Sequence, residues 1–216
     1  MWFNDNTEKR ILIFGDSNTY GYNTERDGRF PRTVRWPGRL AHLLGEGYAV
    51  IEEGLPGRTA VFDDPLTEGL CGLAYLNPCM MSHAPLDTLV IMLGTNDSKA
   101  RFGCNAYCMA KGIARLADKA LVTPAWRDRP DVLVICPKPI HPGYAEGIFY
   151  GEMGPGCDER SAALAAELCK ALDGKAGVRF FDAHTVPGVE YTPIDGMHLT
   201  AAGHAALAAA AAELVR

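Results

Sequence analysis

Asp87-Thr88-Leu89-Val90-Ile91-Met92-Leu93 is a nearly unbroken apolar run that stops at Gly94-Thr95-Asn96-Asp97. The run is too short for a typical helix, and a segment apolar on both faces fits a strand of a parallel sheet covered by helices on each side. Working outward, the same pattern repeats. Asp131–Cys136 (DVLVIC) is a second such run, and Pro137, Pro139 and Pro142 after it forbid an immediate helix. Arg10–Phe14 leads into Gly15-Asp16-Ser17-Asn18, Tyr48–Glu52 leads toward Gly54, and Val178–Asp182 is the last strand. Helical patterns lie between them. Pro37 opens one in which Leu40, Leu43 and Leu44 share a face before Gly45 and Gly47 stop it. Cys108–Val122 and Glu159–Leu172 are two more, and Thr200 is placed to cap a final Ala-rich helix. Alternation of this kind predicts an α/β protein: a three-layer α/β/α architecture around a doubly wound, mostly parallel, five-stranded sheet. No composition shift or fixed-period repeat divides the chain, so residues 1–216 are expected to form a single domain.

Composition narrows the function classes. The chain has 216 residues, a net charge of −5 and a sequence pI near 5.7, with a mean hydropathy of −0.04. Affinity for nucleic acid comes chiefly from clustered cations, so no nucleic-acid partner is expected. No stretch has the length and apolarity of a membrane span, and no membrane partner is expected either. Met1–Arg10 is polar and the apolar run after it is too short for a secretory signal. Seven cysteines, an odd number without a C-x-x-C pair, suggest reduced thiols and a cytoplasmic location. Cys79 with His83, and Cys104 with Cys108, have metal-ligand spacing, but neither has a supporting second pair, so no metal is expected.

The chemistry gathers in the loops that follow the strands, where ligands bind in such folds. Ser17 sits in the Gly-Asp-Ser-Asn turn after the first strand; by itself it reads first as a turn or helix cap. Asp195-Gly196-Met197-His198 places a carboxylate and an imidazole on one loop. The acid can accept from one ring nitrogen and leave the other free to take a proton. Asn96 and Gly54 end two further strands on the same rim, where an amide side chain and an unobstructed backbone N–H are suited to a developing oxyanion. Each of these is also a plain turn residue.

Taken together and in order, Gly15-Asp16-Ser17, Gly54, Gly94-Thr95-Asn96-Asp97 and Asp195-x-x-His198 resemble the four motif blocks of the SGNH hydrolases, or GDSL-type esterases, across nearly the whole chain. The resemblance implies the flavodoxin-like fold of that family. It also implies catalytic roles for Ser17 as nucleophile, His198 as base and Asp195 as its orienter, with Ser17, Gly54 and Asn96 forming an oxyanion hole. Asn18 departs from the pattern, standing where the family has Leu. A G-x-S-x-G elbow of the α/β-hydrolase type is absent. Val34-Arg35-Trp36-Pro37-Gly38, Ile51-Glu52-Glu53-Gly54-Leu55 and Asp63-Asp64-Pro65 are similar to the arylesterase/acyltransferase branch, which includes perhydrolases. Tyr20 stands where that branch has Trp. This branch implies hydrolysis of small, short-acyl esters, with acyl transfer to alcohols or peroxide, no cofactor and a homo-oligomer. Carbohydrate O-acetyl esters are the alternative substrates.

Asp16, Tyr20, Leu55, Ile194 and Met197 adjoin the motif residues and are the expected substrate contacts, with core packing as the plain alternative for the apolar ones. Trp36, Phe102 and Phe149 are assigned either to an entrance or to a subunit contact. A phosphate-binding module of the same fold would want a Gly- or Ser/Thr-rich nest, and Asp16 in the first loop repels phosphate.

Overall fold

The computed structural model describes residues 7–216. Five strands, β1 (Lys9–Gly15), β4 (Tyr48–Gly54), β5 (Thr88–Met92), β6 (Val132–Cys136) and β7 (Val178–Asp182), form one sheet in the order β4-β1-β5-β6-β7. Every pairing in it is parallel. A short antiparallel hairpin, β2 (Tyr22–Asn23) with β3 (Gly28–Arg29), stands apart in the long loop after β1.

Alternation along the strands builds two hydrophobic layers. Ile11, Ile13, Val90, Leu133 and Ile135 point to one face and pack with α2 (Trp36–Leu44) and α7 (Ala201–Val215). Leu12, Phe14, Leu89, Ile91, Val132 and Val134 point to the other and pack with α3 (Gly72–Ser82), α4 (Ala106–Val122) and α6 (Cys157–Leu172). Burying an aliphatic side chain of this size contributes about 1.5–3 kcal/mol, so the double-sided strands anchor the sheet.

Most helix limits follow local chemistry. Thr200 Oγ1 accepts from Gly203 N at 2.9 Å and starts α7 as expected. Asn105 caps α4 through Cys108 N, so the helix begins at Ala106, two residues ahead of the predicted start, and α6 likewise begins at Cys157 rather than Glu159. α3 is not expected from the sequence, because its interior holds Pro78 and its apolar residues lack a clear helical period. Trp36 is fully buried beneath α7, so it belongs to the core and to neither an entrance nor a surface contact.

The register places the motif loops together. Gly15 lies opposite Gly54 on one side and Met92 on the other, so the chain leaves β1, β4 and β5 along one edge of the sheet. Gly54 is required there by space: a Cβ would lie 2.1 Å from Tyr20 N, because α1 (Ser17–Tyr20) crosses directly over the end of β4.

Candidate active site

Asp16 caps α1 by accepting from Asn18 N at 2.9 Å, which fixes the turn that presents Ser17. Across 181 residues of sequence, Ser17 Oγ meets His198 Nε2 at 2.9 Å. The other ring nitrogen, Nδ1, lies 2.8 Å from Asp195 Oδ2. Asp195 Oδ1 accepts from the backbone N–H groups of Met197 and His198, at 2.9 and 3.0 Å. Gly196 makes this tight loop possible with φ +68, a left-handed conformation that costs glycine little.

Two further side chains secure the assembly without having been anticipated. Thr24 Oγ1 donates to Asp195 Oδ2 at 2.5 Å, the same oxygen that faces His198. Burial pushes the Asp195 carboxyl upward, but its hydrogen bonds from His198 and Thr24, with the adjacent imidazole, hold it below the ordinary aspartate value. Asn18, on the serine turn, donates to Met197 O at 3.0 Å and accepts from Leu199 N at 2.9 Å, bracketing His198. Tyr22 and Phe149 flank the imidazole ring, with centroids 4.8 and 5.5 Å away.

A cavity of about 280 Å3 opens over Ser17 and His198. Its walls come from three loops: Pro56, Gly57, Thr67 and Leu70 after β4; Thr95 and Asn96 after β5; Phe149, Glu152 and Met153 after β6. Met197 lines it as expected, and Phe149 belongs to its wall. Tyr20, Leu55 and Ile194 lie outside the lining; Tyr20 instead carries the Arg29 guanidinium 4.2 Å over its ring, and Ile194 faces a separate groove with Lys138 and His141. Asp16 is 1% exposed and is spent on capping, so it offers nothing to a ligand. Burial pushes its carboxyl up to about 6, which the Asn18 backbone bond and the charges of His198 and Arg58 only partly offset. Phe102 stacks on Phe62 at 5.1 Å and is likewise outside the lining. A larger groove, about 660 Å3, runs beside α2 among Arg32, Arg39 and His42, but it holds no paired nucleophile and base.

The donors around the cavity differ from the sequence expectation at one point. Asn96 Nδ2 donates to Arg58 O at 3.2 Å, and Asn96 lines the cavity. Gly54 is not in the lining, because it sits under α1; Gly57, three residues on, is. Among the described residues, the Gly57 N–H has no acceptor in the protein. Arg58 braces this region. Its guanidinium donates to Gly15 O at 3.1 Å and to Glu53 O, and it lies 4.1 Å over the Phe14 ring.

A buried charge cluster holds the walls. Lys99, 1% exposed, reaches Glu152 Oε1 at 2.6 Å and Asp64 Oδ2 at 3.6 Å, and Arg101 adds a bond to Asp64 Oδ1 at 3.2 Å. One cluster therefore touches all three wall loops. Among the described residues, the grouping of metal-ligating side chains formed by Glu53, Cys79 and His83 lies outside the cavity lining.

Similarity to known proteins gives the family and the fold. The model of the GDSL-like lipase/acylhydrolase family matches residues 13–206. The aryl esterase of M. smegmatis is similar in structure, with a TM-score of 0.86 and 38% identity over 96% of this chain and 98% of that one. Est24, a carbohydrate acetylesterase from Sinorhizobium meliloti, gives a TM-score of 0.86 and 36% identity over 96% of this chain and 98% of its own. A lipase/acylhydrolase from Enterococcus faecalis, at 21% identity and a TM-score of 0.67, shares the fold. No curated protein sequence matches.

Proposed function

This chain belongs to the GDSL-like lipase/acylhydrolase family and is a carboxylic ester hydrolase, and from that premise we propose that it acts on small, short-acyl esters through an acyl-enzyme on Ser17. The single observation that carries the reading is the unbroken line from Ser17 Oγ through His198 to Asp195, with contacts of 2.9 and 2.8 Å. In it, Ser17 Oγ attacks the ester carbonyl while His198 Nε2 takes the hydroxyl proton, and Asp195 holds the imidazole in the tautomer that can do so. The oxyanion takes hydrogen bonds from the Ser17 N–H, the side-chain amide of Asn96 and the N–H of Gly57. The leaving alcohol receives the proton from Nε2, and water activated by the same nitrogen releases the acid.

Pocket size supports small substrates: about 280 Å3 is below the span of typical drug-sized sites. Leu70, Met153 and Met197 supply apolar wall against an acyl or aryl group. An alcohol or peroxide reaching the acyl-enzyme in place of water would give acyl transfer. Carbohydrate O-acetyl esters remain a second reading, favoured by Glu152, whose carboxylate stands half-exposed in the wall and suits the hydroxyls of a sugar.

Ser17→Ala is expected to abolish both the acylation burst and turnover of an aryl acetate while leaving the fold intact. Turnover at the wild-type rate would refute the nucleophile. Running phenyl acetate beside acetylated xylose, each with and without a competing alcohol, separates the substrate classes by kcat/KM and reads acyl transfer directly.

A further inference from the structure

The Cys79-x-x-x-His83 pair lies outside the cavity, with Cys79 at the edge of the core and His83 part-exposed. Cys79 lies in the last turn of α3 and His83 is its C-cap, so a separation of four residues sets both on one side of the helix. The end of β4 supplies a third group from far along the chain. Glu53 Oε1 stands 2.8 Å from His83 Nε2, and the ligand atoms of Glu53, Cys79 and His83 all lie within 4.8 Å of one another. We propose that Glu53, Cys79 and His83 form a binding site for one divalent cation of the zinc class, outside the ester-binding cavity.

The donor set points to that class. A thiolate, an imidazole and a carboxylate suit borderline-soft zinc, whereas magnesium and calcium want oxygen alone. Zinc bonds of about 2.0–2.3 Å in a tetrahedron leave the fourth position to water when the protein gives three ligands. The side chains of His83 and Glu53 are 30% and 21% exposed, so an ion reaches them from solvent, while Cys79 closes the site from within.

Charge and protons balance. On binding, the Cys79 S–H bond breaks, its proton leaves to solvent and the sulfur–metal bond forms. The imidazole proton that faces Glu53 moves to Nδ1, so that Nε2 offers its lone pair. A dication with one thiolate and one carboxylate is a neutral unit, and the nearby guanidinium of Arg58 keeps its acceptors Gly15 O and Glu53 O without facing net positive charge. Because the thiol must lose its proton to bind, binding weakens as pH falls. An ion here would tie the end of α3 to the residue that precedes Gly54.

Cobalt(II) is the probe, because it occupies zinc sites and reports a bound thiolate through a near-ultraviolet charge-transfer band. Titrated into the full chain, it is expected to give that band at one equivalent, with affinity rising as pH rises, and zinc should displace it. Cys79→Ser should lose the band. His83→Gln, at a part-exposed position, should remain folded by circular dichroism and bind more weakly. Zinc should raise the Tm of wild type, and raise that of His83→Gln less at the same concentration. Cys108 and Cys169 are exposed thiols, so Cys108→Ser and Cys169→Ser are controls expected to keep the band. No band in wild type, a band that survives Cys79→Ser, or one lost in either control overturns the proposal.

Discussion

Asn18 shows what a single departure from a family pattern does in this chain. Both ends of its amide are spent on the loop that carries His198, through Met197 O and Leu199 N, so it staples the nucleophile's turn to the base's loop. Asn18→Leu, which restores the family's residue, leaves a buried N–H and C=O without partners, at about 1–3 kcal/mol for such a group. The expected result is a lower urea midpoint and a kcat reduced about tenfold by misplacement of His198, with KM little changed; an unaltered kcat would remove Asn18 from positioning. Thr24 works on the opposite end of the same line. Thr24→Val removes a donor to Asp195 Oδ2 and should lower kcat, whereas Thr24→Ser, which keeps the hydroxyl, should restore it. If the two variants are equally slow, packing rather than the hydrogen bond is the cause. Ser17, Asp195 and His198 are legible in sequence through the order of the four motif blocks they share with Gly54 and Asn96, since none of the three stands out alone. Thr24 is not, since its contact with Asp195 spans 171 positions of an otherwise featureless loop.

At the scale of elements, the strands were readable because burial on two faces leaves an apolar run, and the fully buried β5 and β6 fall within their predicted segments. Elements that depend on distant neighbours were not. α3 keeps Pro78 in its interior because its packing against α4 and the sheet outweighs the local penalty. The β2–β3 hairpin is only two residues a side and is held partly by Arg29, which donates to Tyr20 O at 2.7 Å. The loops that wall the cavity depend on such long-range contacts too, and Lys99 joins them. Its ammonium lies between Asp64, from the loop after β4, and Glu152, from α5 (Tyr150–Met153). Lys99→Met leaves the buried Asp64 with Arg101 as its remaining charged partner and releases Glu152. Breaking a buried pair from one side costs about 3–5 kcal/mol, and the surviving Arg101 contact places this case toward the lower end. The variant is expected to unfold at lower urea, to be cut faster by protease in the 55–70 loop, and to lose kcat/KM. Unchanged protease sensitivity would mean that the walls stand without the clamp.

Across the whole molecule, the Gly-Thr-Asn-Asp motif carries a charge problem that its sequence conceals. Asp97 closes that motif block; it is fully buried and accepts from Ala60 N at 2.9 Å, while among the described residues its Oδ2 has no partner. Burial, with Asp16 nearby, pushes its carboxyl from 3.8 up to about 7. The folded chain therefore keeps a proton on Asp97 at pH values where the unfolded chain has lost it. From about pH 4 to 7 this group's contribution to stability falls as pH rises, since stability falls wherever the native state binds more protons. His204 acts in the opposite direction. Buried under Phe30 with its Nδ1 accepting from Trp36 N, it is held down to about 3 from 6.5, so acid takes stability away as the unfolded imidazole protonates. The two trends mask each other in a single pH–stability curve, and a difference between variants separates them. Asp97→Asn keeps an oxygen for Ala60 N and cannot ionise, while His204 titrates alike in both proteins. Urea midpoints at about pH 5 and about pH 8 should show the variant gaining on wild type as pH rises, because only wild type must bury a carboxylate at the higher value. Parallel curves for the two proteins would mean that Asp97 ionises in the fold as readily as in the unfolded chain.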